Sequence, residues 1–436
     1  IFELEPEMED FLKRACPVMM AEPFGEAGSK LPYFPGYKYE GGTSIYKGEV
    51  VGEGGYVYSE PGVHYDVALL DVSSMHPHSA IAEYLFGKYT EDFLAIVKGR
   101  VNIKHEEFDR VSHMFDGRLK PYIKKVVDGE MTSKQLADAL KTAINSVYGL
   151  TSAHFENDFL DPRNKDNIVA KRGALFMLDL KEAVQAKGFT VAHIKTDSIK
   201  IPNATPDIIK FVMEFGQKYG YTFEHEATYD RMALVNKSVY IAKYAMPEKC
   251  EKLYGYIPSD CRKAGGMWTP TGAQFAEPYV FKKLFSKEKI DLNDLAVTKS
   301  VKTAIYLDMN ENLEDVSELE ALYAKKLKDP NVGEDELEKM SIDIAKGHDY
   351  KFIGRVGLFF PIKPGSNGGL LMRANNKTKG GYSAVTDTTG YRWLEYDKVV
   401  TLNKEDYIDL SYFDRLVDAA LDVIGQYIDP KVFIEG

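Results

Sequence analysis

Apolar and polar positions along the chain alternate with two different periods, and the elements they predict interleave. Tyr65-Asp66-Val67-Ala68-Leu69-Leu70-Asp71-Val72 is a short apolar run that reads as a buried strand. After Ser73-Ser74-Met75-His76, Pro77 suits the first turn of a helix, expected to reach about Phe86 with Gly87 as its stop. Residues 90–130 read as helical. Thr132-Ser133 caps a helix to Tyr148, stopped by Gly149. On it Leu136, Ala139, Leu140, Ala143, Ile144 and Val147 form one apolar face, and Lys141, Asn145 and Tyr148 fall on the other. A further helix spans 167–187. Then Phe189-Thr190-Val191-Ala192 and Ile199-Lys200-Ile201 flank His193-Ile194-Lys195-Thr196-Asp197-Ser198, the pattern of a hairpin, although its turn lacks the favoured Asn-Gly or Asp-Gly. Thr205-Pro206-Asp207 starts a helix to about Tyr219. Strands are expected at 222–229 and 232–244, mostly helix over 275–345, a Gly-rich β-like stretch over 351–400, and an amphipathic helix over 412–427. Residues 1–65 are turn-rich, with short strands and loops. Asp161-Pro162-Arg163-Asn164 reads as a loop. The sum is an α+β chain with helices on one face of a sheet.

Composition narrows the class. The 436 residues are 44% hydrophobic and 28% charged, which suits about three domain-sized globular units. No apolar run approaches the ~20 residues a spanning helix needs, so no membrane partner is expected. Ile1-Phe2-Glu3-Leu4-Glu5 starts no signal peptide, and Cys16, Cys250 and Cys261 form no CxxC. A reducing cytoplasm is the expected location. The net charge of −11 argues at face value against nucleic acid, but the acidity is uneven. Residues 308–343 hold twelve Asp/Glu against four Lys/Arg, whereas 98–141 hold ten Lys/Arg against seven Asp/Glu. A basic groove in an acidic protein is compatible with those counts.

Candidate chemistry lies on the elements already drawn. Asp71 interrupts an apolar strand, which is costly unless the carboxylate is paired or bound to a metal. Asp197 stands where a strand begins, which fixes its direction. Taken alone it is ordinary turn chemistry. Arg100 and Lys104 are four apart on one helix face.

These pieces resemble family B DNA polymerases of the bacteriophage replicative type. Asp71-Val72-Ser73-Ser74-Met75-His76-Pro77 is similar to the first palm motif, an Asp, two residues, then Ser-Leu-Tyr-Pro, with His76 where the family has its Tyr. Lys141-Thr142-Ala143-Ile144-Asn145-Ser146-Val147-Tyr148-Gly149 matches the fingers motif Lys-x-x-x-Asn-Ser-x-Tyr-Gly at every fixed position. Lys195-Thr196-Asp197-Ser198 resembles the hairpin motif Asp-Thr-Asp-Ser, with Lys195 replacing its first acid. Weaker matches are Arg100-x-x-x-Lys104 to the triphosphate-binding pair and Gly54-Gly55-Tyr56 to the template-touching linker. Glu224-His225-Glu226 resembles the segment with a third acid, and Lys237 with Tyr240 keeps the ends of the primer-following Lys-Lys-Arg-Tyr.

The resemblance implies a right-hand architecture with an antiparallel-sheet palm, helical fingers and a mostly helical thumb. The boundaries expected are a wrapping segment 1–65, palm 66–89 and 150–245, fingers 90–149, thumb 246–345, and a β-rich module with a terminal helix, 346–436. It implies primer extension with dNTPs on primer-template DNA, and two Mg²⁺ ions, or Mn²⁺, held by Asp71, Asp197 and the Val72 carbonyl. Arg100, Lys104 and Lys141 would grip the triphosphate, and Ser74, His76, Asn145 and Tyr148 would face the nucleotide. Gly54, Gly55, Lys195, Lys237 and Tyr240 would touch DNA, with Glu226 an auxiliary acid. If viral, the chain would act in the host cytoplasm. The 65 residues before the palm are too few for the proofreading domain usual in the family, so a separate exonuclease or replisome subunit is a further expected partner. Two alternatives stand beside this reading: a binding subunit with weakened catalysis, since the hairpin has lost one acid, and a nuclease using the same carboxylates. Arg355-Val356-Gly357-Leu358-Phe359-Phe360 resembles a clamp-docking peptide, but its setting reads as a strand.

Overall fold

Three short strands, β1 (Lys38–Glu40), β2 (Thr43–Tyr46) and β3 (Glu49–Val51), form an antiparallel sheet in that order. In the computed structural model the described residues are 34–436 apart from 35, 42, 52–53, 84, 162–166, 311–312 and 379–380. The opening stretch 1–33 with Cys16, and residues 162–164 of the expected loop, lie outside them. The chain divides into two compact units, residues 1–271 and 272–436.

The first unit is built on β4 (Val57–Ser59) and β5 (Gly62–Val72), followed by helices α1 (Met75–Ala82), α2 (Thr90–Lys104), α3 (Phe108–Val111), α4 (Lys120–Val127), α5 (Ser133–Leu150) and α6 (Ile168–Ala186). Then come the hairpin β6 (His193–Lys195) and β7 (Ser198–Ile201), α7 (Pro206–Lys218), β8 (Phe223–Asn236), β9 (Val239–Tyr244), α8 (Pro247–Tyr254), α9 (Ser259–Ala264) and β10 (Trp268–Thr271). Seven strands make one antiparallel sheet in the order β10-β9-β8-β5-β7-β6-β4. β5 lies between β7 and β8. Its Ala68, Leu70 and Val72 join the core around α6, while Val67 and Leu69 join a second core with Ala227, Tyr229, Cys250 and Cys261. Apolar cover on both faces corrects the expectation of helices on one face. Asp71 has the parity of Val67 and Leu69, so it points to the second face, beyond the end of its apolar cover.

Several element ends differ from the sequence pattern. α1 stops at Ala82 rather than Phe86, and Gly87 opens a short 3₁₀ turn instead of closing the helix. β8 runs unbroken through residue 230, and the chain reverses at Lys237-Ser238. α5 has the expected Thr132 cap, with Gln135 completing a reciprocal capping box. Its buried residues are Leu136, Ala137 and Ile144, whereas Ala139 and Ala143 are exposed. A helix of small and polar residues tolerates that shift, because alanine contributes little burial.

The second unit holds α10 (Ala273–Ala276), α11 (Pro278–Phe281), β11 (Val297–Asp308), α12 (Leu313–Lys326), α13 (Glu334–Lys346), β12 (Tyr350–Ile362), β13 (Leu370–Ala374), β14 (Tyr382–Ala384) and β15 (Arg392–Glu395). It ends with α14 (Tyr396–Thr401), α15 (Leu410–Gly425) and α16 (Pro430–Glu435). Its five strands pair antiparallel as β14-β13-β11-β12-β15. β11 replaces part of the helix expected over 275–345. Its partner β12 lies across the 345/346 boundary, so 272–436 fold together, and 246–271 go with the first unit. Residues 355–360 lie within β12, where Phe359 and Phe360 are fully buried. Among the described residues no helix is long and apolar enough to cross a membrane.

Candidate active site

The tip of the β6–β7 hairpin is a strained turn. Thr196 has φ 55°, and the Asp197 amide donates to the Lys195 carbonyl at 2.7 Å. An i→i+2 bond across a residue of positive φ is a γ-turn of the rarer hand, costly for a β-branched side chain. Neighbouring backbone holds it: the Thr196 amide donates to the Tyr56 carbonyl at 3.0 Å, and the Val72 amide to the Asp197 carbonyl at 2.8 Å. Gly55, at φ 129°, packs against Thr196 so closely that a Cβ would lie 2.9 Å from its side chain. Such strain persists only where the surroundings over-determine it. Here the effect is to fix Asp197 beside the end of β5, where Asp71 pairs with Ser198 on one side and Glu224 on the other.

A β-bulge adds a third acid. β8 pairs Ala227 with Leu69 but His225 with Leu70, which leaves Glu226 without an opposite residue. Bulges re-aim side chains, and Glu226 shares a cavity with Asp71 and Asp197.

Two cavities meet at these carboxylates. The first, about 320 Å³, is lined by Asp71, Val72, Ser74, His76, Arg100, Lys104, Lys141, Asn145, Asp197 and Glu224, among others. Most of the expected nucleotide-facing residues are thus together. Tyr148 does not line this cavity; its ring stacks on His76 at 6.3 Å and 18°. Ser74, in the left-handed region, sits at the N-cap of α1 and accepts from Arg100 Nη1 at 3.4 Å. The second cavity, about 370 Å³, is lined by Lys195, Lys200, Glu226 and Tyr240 together with Asp71 and Asp197. Gly55 packs on the hairpin tip, and neither it nor Gly54 lines either cavity. Lys237 lines neither: its side chain is exposed, and its carbonyl accepts from His193 Nε2 at 2.9 Å.

Charge is concentrated here. Burial, then Asp197 and Glu226, push the Asp71 carboxyl up to about 8 against the pull of Lys104. Burial also raises Asp197, partly offset by its own amide and by His76 and Lys200. His76 is lowered by burial although Asp197 favours its charged form. Glu224 accepts from His105 at 3.0 Å and lies 3.9 Å from Lys104, tying α2 to the sheet. His76 Nδ1 and Arg100 Nε are buried without a hydrogen-bond partner.

Pattern reading overlooked Lys200 and His193. Lys200 is 4% exposed, and its Nζ donates to His193 Nδ1 at 3.1 Å. Burial lowers it to about 8, and burial with Lys200 lowers His193 to about 4. A lysine between two isoleucines of a buried strand was the available signal.

The donor set suits hard divalent cations. Asp71 brings carboxylate oxygens from β5 and Asp197 from the β6–β7 turn, and their shared burial disfavours two negative charges unless a cation compensates. Among the described residues no three His, Cys, Asp or Glu side chains form a closed metal site. The remaining ligands would therefore come from backbone, water or substrate. Opposite the acids, Arg100, Lys104 and Lys141 present three cations able to bind phosphate.

No protein-family model matches the chain, and no curated protein matches it. Among solved structures it is similar to the family B DNA polymerase from the hyperthermophilic archaeon Pyrobaculum calidifontis, at 15% identity and a TM-score of 0.42. The match covers 97% of this chain and 50% of that one, so the chain spans half the length of that structure.

Proposed function

We propose that this chain is a template-directed DNA polymerase that adds dNTPs to a primer 3′ end. One observation carries the reading: two repelling carboxylates, one on β5 and one in the β6–β7 turn, share one cavity with three cations from two helices. The three sequence motifs that resemble family B polymerases supply Asp71, Asp197 and Lys141, and the weaker Arg100-x-x-x-Lys104 match supplies the other two cations. Asp71 and Asp197, with the Val72 carbonyl, would hold two Mg²⁺ ions. When bound, such ions neutralise charge on the attacking and leaving oxygens of phosphoryl transfer.

The chain's own residues would do the positioning. Arg100 and Lys141 would bind the triphosphate, and Lys104 would join them by leaving Glu224. Asn145 would face the nascent base pair. Tyr148 and His76, stacked together, would bound the sugar pocket. Lys195 and Tyr240, in the second cavity, suit the primer strand, while Gly54 and Gly55 bring backbone close to the template side of the tip.

The test is templated primer extension with Mg²⁺ by the full chain, with Asp71→Asn and Asp197→Asn alongside. Each variant should lose roughly a hundredfold or more in rate, equivalent to at least about 2.7 kcal/mol of transition-state stabilisation. Because Asn removes a repulsive charge, neither should lower the metal-free melting temperature at alkaline pH. Rates within tenfold of wild type in either variant would sink the assignment. Lys195 in place of an acid favours a second reading, a primer-template-binding subunit without catalysis. That reading requires DNA binding with no extension by wild type.

A further inference from the structure

Residues 272–436 carry a basic groove that the proposed chemistry does not use. It arises from an irregularity in β11. Pairing with β12 reaches Ser300↔Val356 and resumes at Ile305↔Gly354, five steps along one strand against two along the other. β13 holds β11 only from Ile305↔Arg373 to Asp308↔Leu370. Residues 301–304 therefore bulge out of both ladders, and a groove of about 870 Å³ opens between them and the β13–β14 hairpin. Two bonds fix its walls: Thr303 Oγ1 donates to the Ala374 carbonyl at 2.6 Å, and Lys299 Nζ to the Thr386 carbonyl at 3.0 Å.

The lining is chemically one-sided. Lys299, Lys302, Arg373 and Lys377 line it, with hydroxyl and amide side chains between, and no Asp, Glu or aromatic residue is among the described lining residues. This unit otherwise carries an acidic excess, with twenty-eight Asp/Glu against twenty-two Lys/Arg. Among the described residues none of the four cations is in an ion pair. Burial lowers the pKa of Lys299, partly offset by Asp387, which does not pair with it. Arg373 donates Nε to Ser383 Oγ at 3.1 Å, which leaves its terminal nitrogens for a ligand.

We propose that this groove binds the sugar–phosphate backbone of a nucleic acid without regard to base sequence. Unpaired cations among neutral donors match successive phosphates. No aromatic ring is among the described lining residues to stack a base. Half-buried Lys299 sits inside a concave wall that a flat bilayer would not reach. The proposal does not rest on the active-site reading, because a binding protein without catalysis would use the groove in the same way.

The test is equilibrium binding of a fluorescent mixed-sequence single-stranded oligonucleotide to the full chain, in EDTA and without dNTPs, across a salt series. The variant combines Lys302→Gln, Arg373→Gln and Lys377→Gln, all at exposed positions, with an unchanged melting temperature as its folding control. Its Kd at low salt should rise about tenfold or more. The slope of log affinity against log salt should flatten by roughly two, at about 0.7 per lost phosphate contact on a single strand. Two unrelated base sequences should behave alike. Wild-type affinity and slope in the variant would overturn the proposal whatever the extension assay gives. So would loss of binding to fluorescent polyglutamate with DNA binding intact, which would make the groove an acidic-peptide site. Failure of primer extension alone bears only on the active site.

Discussion

Lys195 ends β6 with an exposed side chain that lines the cavity of Asp71, Asp197 and Glu226, yet no carboxylate lies within ion-pair distance of it among the described residues. Its ammonium is therefore available to a phosphate. Lys195→Ala should lower the extension rate roughly tenfold, the scale of one charge-assisted hydrogen bond. Steady-state extension across a Mg²⁺ titration checks this, and wild-type rates with unchanged metal dependence would make the side chain a bystander. His76 is the second informative residue. Imidazole is smaller than the phenol of the motif that residues 71–77 resemble, and its Nδ1 is buried without a partner. Sugar discrimination should thus be present but weak. His76→Tyr should sharpen rejection of rNTPs and His76→Ala should relax it, read as the ratio of kcat/KM for dNTP and rNTP. Both residues were visible in the motifs. Lys200 was overlooked: its place between two isoleucines hinted at burial, but nothing in Ser198-Ile199-Lys200-Ile201 says that His193 lies opposite.

The elements differ in how local their causes are. α5 was legible because its start is written in adjacent residues, Thr132 and Gln135, and its stripe has helical period. The hairpin was legible, although its first strand is His193–Lys195 and not the β-prone run 189–192, and its turn was not legible. The γ-turn at Thr196 is held by backbone bonds to Tyr56 and Val72 and packs against Gly55, all far from it in sequence. Gly55→Ala tests that dependence. It places a Cβ against Thr196 at a backbone angle that alanine adopts at a cost of about 1–3 kcal/mol. Thermal stability should fall on that scale. Extension should fall further than stability explains, because the tip carries Asp197. Equal extension at a temperature where the variant is fully folded would show that the tip tolerates displacement. The bulge at Glu226 was equally invisible, since it depends on the register between β5 and β8.

At the scale of the whole molecule, two units with separate sheets make stability a composite quantity. A titrating group in one should mark its own transition. In the second unit His348 bonds Asp308 through Nδ1, and Glu320 through Nε2 at 2.8 Å. Burial opposes its charge, but those two carboxylates outweigh burial and lift its pKa above 6.5. A raised folded pKa means stabilisation that is complete below about 6.5 and lost as pH rises through the folded value. Calorimetry from mildly acidic to alkaline pH should show the second unit's transition moving down through that window. In His348→Gln that movement should shrink, while the first unit's transition, which carries its own pH dependence from Asp71, should be the same in both proteins. An effect of the substitution on the first unit's transition, or none on the second's, would contradict the assignment.

What the sequence determined by itself was local: the strand broken by Asp71, the capped helix with Lys141 and Asn145 on its polar side, and the hairpin that offers Asp197. Each depends on residues within a turn or two of one another, where periodicity and capping act. What only the tertiary structure decided was convergence. Register set Asp71 between Ser198 and Glu224, strain aimed Asp197, and a bulge added Glu226. The same division explains the second unit. Its acidic helices were plain in composition, but β11 was mistaken for helix and the basic groove was unseen. Lys299, Lys302, Arg373 and Lys377 are separated by some seventy residues of chain and become neighbours only through strand pairing. Long-range pairing leaves no periodic trace in a sequence, because either partner strand would carry the same pattern beside a different neighbour.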